Sequence, residues 1–195
     1  MKVTRAQAEE NRRTVVETAG RLFREHGVKG VGLAELMGAA GLTHGGFYKQ
    51  FKSKDELVLE ACGHALDTGV DTWTRLVDRA KAGDGDPLAA LVHHYLSPAH
   101  RDRVGTGCAL PGLGPDAVRH DPALRERFGS AIEAYAGILQ QAMGAGADDA
   151  LAALSTMVGA LLLSRMVDDD ALSNRILQAA AASLLDRSDS PNKGQ

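Results

Sequence analysis

The stretch LAELMGAAGLTHGGFYKQFKSKDE, Leu33 to Glu56, decides how this chain folds. Ala34, Leu36, Met37 and Ala40 recur at helical spacing, and Gly41 can take the left-handed conformation that ends a helix. Thr43 offers a side-chain oxygen to the free amides of a second helix, whose apolar residues are Phe47 and Phe51. Two helices joined by a short turn containing Gly make a helix-turn-helix. In that motif the second helix enters the major groove of DNA. Ser53 and Glu56 then form a capping box that opens the next helix, each side chain satisfying a backbone amide.

Working outward, residues 5–26 read as a preceding helix. Val15, Val16, Ala19, Leu22, Phe23 and His26 recur at three and four to give one apolar stripe, and Gly27 is the terminator. Lys2, Arg5 and Arg12 read equally as phosphate contacts or as a solvated face. On the other side, a helix runs from Lys54 towards Lys81 with Leu57, Val58, Ala61, Leu66, Trp73 and Val77 mostly on one side. At 1.5 Å per residue it spans roughly 40 Å, enough to link a DNA-reading head to a body. Asp86-Pro87, Ser97-Pro98 and Asp121-Pro122 each pair a capping residue with Pro at the first helical position, marking starts near 87, 98 and 122. The Gly- and Pro-rich run GTGCALPGLGPDAV between the last two predicts a broken helix with loops.

Residues 122–143 read as an amphipathic helix. Ala150 to Val167 is apolar almost all round and must be covered on every side. Its small residues, its Arg165 and its length argue for a core helix shared with a second subunit over a membrane span. Asp168 to Asp170 caps a last helix, in which Leu172, Ile176, Leu177, Ala180 and Leu184 repeat. Arg187 to Gln195 reads as a disordered tail.

Composition agrees. In 195 residues, 44% are hydrophobic and only 4% aromatic, which favours helix over sheet and excludes general disorder. The net charge of −3 hides an asymmetry: residues 1–54 carry +5 and residues 55–195 carry −8. A basic head on an acidic body suits a polyanionic partner for the head alone. The polar opening, Met1 to Arg13, has no secretory character and predicts a cytoplasmic protein. Cys62 and Cys108 are too far apart for a paired-ligand spacing, and the adjacent His93 and His94 point to different sides of a helix, so no metal is expected.

The run Gly41-Leu42-Thr43-His44-Gly45-Gly46-Phe47-Tyr48-Lys49-Gln50-Phe51, followed by Ser53-Lys54-Asp55-Glu56-Leu57, resembles the DNA-binding head of the TetR family of repressors. The match reaches back through Ala19, Leu22, Phe23 and Gly27 and covers roughly residues 8–60. The resemblance implies an all-α chain with three parts: a three-helix helix-turn-helix domain at 1–53 (to about 60 with the start of the linking helix), a larger helical sensor and dimerisation domain at 54–186, and the tail. It also implies a homodimer, joined through the last two helices, that represses transcription from a near-palindromic operator and leaves DNA on a chemical signal. Thr43 matches the residue that caps the recognition helix and touches phosphate. His44 and Gly46 match groove-facing positions, with Gly45 between them counted among the DNA-binding residues, Tyr48 matches a phosphate-binding aromatic, and Lys54 a basic residue at the next helix start. Gly46 departs from the family by lacking a side chain, so His44, Lys49 and Gln50 are expected to carry most base contacts. Phe47 and Phe51 are core.

What the body senses has two readings. Cys108, in a Gly-Cys pair like that of electrophile-responsive members, sits where a helix start would favour thiolate; otherwise it is a small buried residue. Cys62 reads as packing. Trp73, Tyr95, Phe128, Tyr135 and Met157 would line an apolar cavity for a small ligand or fill the core. No Gly-rich phosphate loop, nucleophile elbow or metal-binding His-Glu spacing is present, so an enzyme is set aside and no cofactor is expected. A constitutive DNA binder without a ligand is the alternative; the size of the body argues against it.

Overall fold

The computed structural model describes residues 4–119 and 122–186, and every regular element among them is helical. The order is α1 (Arg5–Gly30), α2 (Leu33–Ala39), a 3-10 turn (His44–Lys49), α3 (Lys54–Ala82), α4 (Pro87–Tyr95), α5 (Pro98–Asp102), a second 3-10 turn (Val104–Thr106), α6 (Ala109–Arg119), α7 (Pro122–Met143), α8 (Ala147–Ser164) and α9 (Asp170–Leu185). The chain divides into two compact units: Met1–Thr68 with Val104–Phe128, and Gly69–Arg103 with Gly129–Gln195.

In the first unit α1 buries the expected stripe of Val15, Val16, Ala19, Leu22 and Phe23. His26, counted with that stripe, is instead exposed. Gly27 breaks the helix at φ 73°, ψ 158°, a backbone region essentially reserved for glycine. The amide of Val28, freed by the break, donates to Asp116 Oδ2 on α6 at 3.2 Å. At Gly20 the same helix approaches α3 so closely that an added Cβ would lie 3.3 Å from the Ala61 carbonyl oxygen.

The run expected to hold a broken helix is more regular than its composition suggests. Residues 109–119 form one helix. Pro111 falls in its first turn, where an amide has no intrahelical partner to lose. Pro115 does interrupt the ladder, but Leu110, Leu113 and Ala117 are buried, and that packing outweighs local propensity. Looped backbone is confined to the residues just before α6, where Arg24 Nε donates to the Gly105 carbonyl at 2.7 Å.

The second unit is built on α8 and α9 with α4. Helix α8 starts and stops three residues earlier than expected, with Asp148 and Asp149 in its first turn. Arg165, just beyond it, donates to the carbonyls of Arg101 (2.9 Å) and His100 (3.0 Å). Those bonds fasten the end of α8 to α5. Only one side of α8 is covered, by way of Ala150, Ala153, Leu154, Met157, Ala160 and Leu161, while Leu151, Leu162 and Leu163 are bare. By length and composition alone α8 is apolar enough to cross a membrane. Asp86, Ser97 and Asp169 cap α4, α5 and α9 with side-chain oxygens, as expected. The capping role of Asp121 and the tail from Arg187 lie outside the described residues.

Candidate nucleic-acid interface

Helix α2 ends in a Schellman arrangement: Leu42 N–H bonds to the Met37 carbonyl at 2.8 Å and Gly41 N–H to the Gly38 carbonyl at 3.0 Å. Gly41 takes φ 70°, which any L side chain resists. The chain then turns into the element expected to be an α-helix capped by the Thr43 hydroxyl. Both parts of that expectation are corrected. Residues 44–49 form a 3-10 turn, and Thr43 makes no side-chain cap. Its carbonyl instead accepts from Gly46 N–H at 2.9 Å, one residue tighter than an α-helix would allow. The adjacent glycines supply little helical propensity, and a six-residue element is too short to overcome that cost.

Beneath the turn, Phe47 is fully buried and stacks on Phe51 with centroids 5.5 Å apart. Anchored from below, the turn presents Thr43, His44, Gly45, Tyr48 and Lys49 to solvent. Tyr48 is 65% exposed, its ring edge-on to both His44 and Phe47. An exposed aromatic carrying a hydroxyl, beside an imidazole and an ammonium, offers donors for phosphate oxygens and base edges. Gly46 is half-buried, and Gln50 is half-buried with its Oε1 enclosed and unbonded.

Lys54 has an internal task that the sequence did not suggest. Its ammonium donates to the carbonyls of Val28 (2.8 Å) and Val31 (2.6 Å), in the last turn and at the C-cap of α1. The capping box forms as expected at Ser53, whose Oγ accepts from Glu56 N–H at 3.1 Å. Glu56 reaches back one residue further than the usual box, to Lys52 N–H at 2.7 Å. That bond, and next the Arg12 guanidinium, hold the Glu56 carboxyl below its ordinary pKa. Arg12, one of the loose positives, bonds Glu56, Glu60 and the Gln50 carbonyl.

Of the residues proposed for sensing, three come together. Trp73 lies edge-on to Tyr95 at 5.5 Å and to Tyr135 at 4.7 Å, all three nearly or fully buried. Met157 is buried in the same unit and Phe128 in the first unit. Cys108 is half-buried, immediately before α6. Cys62 is fully buried, and desolvation, with Asp116 nearby, pushes its thiol up to about 12. Among the described residues no group of three or more His, Cys, Asp or Glu is arranged to hold a metal ion. Sequence reasoning missed the ties made by Asp116, Arg101 and Arg165; single acidic or basic residues carry no pattern, and the bonds of Asp116 to Val28, Arg101 to Ser173 and Arg165 to Arg101 join residues more than 60 positions apart.

An exposed turn on a buried aromatic base, set after a Schellman-ended helix, has the form of a helix-turn-helix. Residues 15–61 match the family model described as "Bacterial regulatory proteins, tetR family". The chain is 40% identical over 57 residues to the HTH-type transcriptional regulator AcrR of Shigella flexneri, covering 29% of this chain and 26% of that one. It is 34% identical over 89 residues to the regulator TtgR of Pseudomonas putida, covering 45% and 40%. The chain thus spans well under half the length of these curated relatives. The structure of E. coli NemR, reduced form, shares the fold at TM-score 0.76 and 19% identity over 91% of this chain and 96% of that one. A TetR transcriptional regulator from Chloroflexus aurantiacus does so at TM-score 0.76 and 23% identity, over 92% and 96%. Its head is thus similar in sequence to the DNA-binding heads of TetR-family regulators, and its length matches solved members of that family in fold.

Proposed function

We propose that the protein is a cytoplasmic, homodimeric repressor whose two heads grip a near-palindromic operator. The carrying observation is the recognition turn itself: Thr43, His44, Tyr48 and Lys49 stand exposed on a base of buried Phe47 and Phe51. In this reading Tyr48 and Thr43 set register on phosphates, while His44 and Lys49 read base edges where Gly45 and Gly46 let the backbone come close; Gln50, with its Oε1 enclosed, does not join them. Lys54 keeps one donor for phosphate beyond the two it spends on Val28 and Val31. The bare apolar side of α8, with Leu151, Leu162 and Leu163, and Leu172 on α9 support a second copy as the cover.

Release of DNA follows from a signal reaching the body. One solved relative is described as AibR with isovaleryl coenzyme A and operator DNA, and NemR as a reduced form. These support, respectively, a small ligand and a change of redox state as classes of signal. The position of Cys108 at the start of α6 supports a thiol as the seat of the latter. The ring-on-ring contacts of Trp73 with Tyr95 and Tyr135 favour the second reading, a constitutive binder whose aromatic residues simply fill the core. A binding-site selection from random duplexes, run with and without an electrophile and repeated with Cys108→Ser, separates them. A shared motif that electrophile releases only from the wild type supports the thiol reading. Equal release from both proteins removes it.

A further inference from the structure

We infer that Arg12 is a positioning residue for the recognition turn and that its charge is spent inside the head, not on a phosphate; the inference rests on the DNA-binding reading above. Arg12 lies on α1, yet its guanidinium meets three other places in the head. It donates to the carbonyl of Gln50, the residue that ends the 3-10 turn. Nε donates to Glu60 Oε1 at 3.1 Å and Nη2 to Glu56 Oε1 at 3.2 Å, with a further bond to Glu60 Oε2. The same group lies 4.1 Å from the centroid of Phe51, the ring that stacks on Phe47 beneath the turn.

This placement matters because the turn cannot hold itself. Six residues in 3-10 geometry, two of them glycine, have little intrinsic stability, so the orientation of His44, Tyr48 and Lys49 depends on how the two ends are tied. The Schellman bonds at Gly41 and Leu42 tie the front. Arg12 ties the back, joining α1, the end of the turn and the start of α3. Glu56 extends the tie by accepting from Lys52 N–H at 2.7 Å, inside the connection between turn and helix.

A direct phosphate role and a positioning role differ in sign at the carboxylates. If charge near DNA were the whole effect, replacing Glu60 by its amide would strengthen polyanion binding. If the network sets the turn, the same change weakens it.

The test uses the full chain as wild type, Arg12→Met and Glu60→Gln. Backbone amide exchange is measured without DNA, and binding to a duplex recovered by selection with the wild type is measured across a salt series. We expect Arg12→Met to speed exchange at residues 44–51 and to weaken binding roughly tenfold, with the slope of log affinity against log salt unchanged. Glu60→Gln weakens binding in the same direction. The inference is overturned if Arg12→Met lowers that slope by about 0.9 per head, if Glu60→Gln tightens binding, or if exchange at 44–51 is unchanged. Failure of the wild type to select any duplex would defeat the DNA-binding reading instead, and the exchange arm alone would then decide the role of Arg12.

Discussion

Gly69 on α3 has almost no room beside it. A Cβ at this position would lie 2.0 Å from Tyr135 Oη and 3.3 Å from Tyr135 Cζ. Tyr135 cannot easily yield, being 1% exposed with Trp73 packed 4.7 Å away. Restoring ordinary contact requires the hydroxyl to move by more than 1 Å, and overpacking of this kind costs about 1–3 kcal/mol. Helix propensity returns up to about 1 kcal/mol for Gly→Ala. Gly69→Ala should therefore destabilise the protein by about 1–2 kcal/mol, a fall of roughly 2–8 °C in Tm for a chain of this size. Removing the hydroxyl removes the clash and leaves Cζ at a tolerable distance. On a Tyr135→Phe background the same glycine replacement should be neutral or stabilising. Trp73, the sole tryptophan, sits in the cluster and reports unfolding by fluorescence, so urea titrations of the four proteins close a double-mutant cycle. Gly69→Ala stabilising the wild type, or costing as much with Phe at 135 as with Tyr, would refute the packing argument.

Three further outcomes are expected. Gly27→Ala forces a methyl into the φ 73°, ψ 158° region and should cost about 1–3 kcal/mol in urea unfolding; an unchanged midpoint would mean that the α1 break can relax. Alkylation at pH 9, read by peptide mass, should mark Cys108 well before Cys62, because a buried thiol pushed up to about 12 is only about a thousandth ionised there; equal labelling would show that the α3 core opens. Burial, the largest cause for both, depresses His100 and His94; the charges of Arg165 and Arg103 add to it, against the Tyr95 carbonyl that Nδ1 of His100 meets at 2.7 Å. Above the unfolded value of about 6.5 both states hold neutral rings. As pH falls below it the unfolded chain takes up protons that the folded one refuses, so stability should fall between pH 7 and 5. A Tm that falls as much for His100→Gln as for the wild type over that range would refute the assignment.

The head was legible because its signals are local. Gly27 and Gly41 as terminators, the Ser53–Glu56 box and the Val15-to-Phe23 stripe are each set by neighbours within five residues, and each has its counterpart in the structure. Where local signals conflict, tertiary packing decided. Pro111, Gly112, Gly114 and Pro115 argue against a helix, yet buried Leu110, Leu113 and Ala117 hold one together. The reverse happened at residues 44–49, where good periodicity lost to two glycines and the element tightened to 3-10. The site itself was half legible. Exposed Thr43, His44, Tyr48 and Lys49 follow from pattern, but the bonds of Arg12 to Glu56 and Glu60, and of Lys54 to Val28 and Val31, join residues 23 to 48 positions apart and leave no periodic trace. The α8 pattern, apolar all round, signalled the need for a cover without saying what supplies it.

The central claim is that the turn at residues 44–49 reads DNA. Its most direct measurement is fluorescence anisotropy of a selected duplex titrated with wild type, His44→Ala and Tyr48→Phe over a salt series. The account predicts that Tyr48→Phe weakens all sequences about equally, while His44→Ala costs about 1–3 kcal/mol on the selected sequence and narrows the gap to mismatched duplexes. Unchanged affinity and unchanged sequence preference in both variants would contradict it.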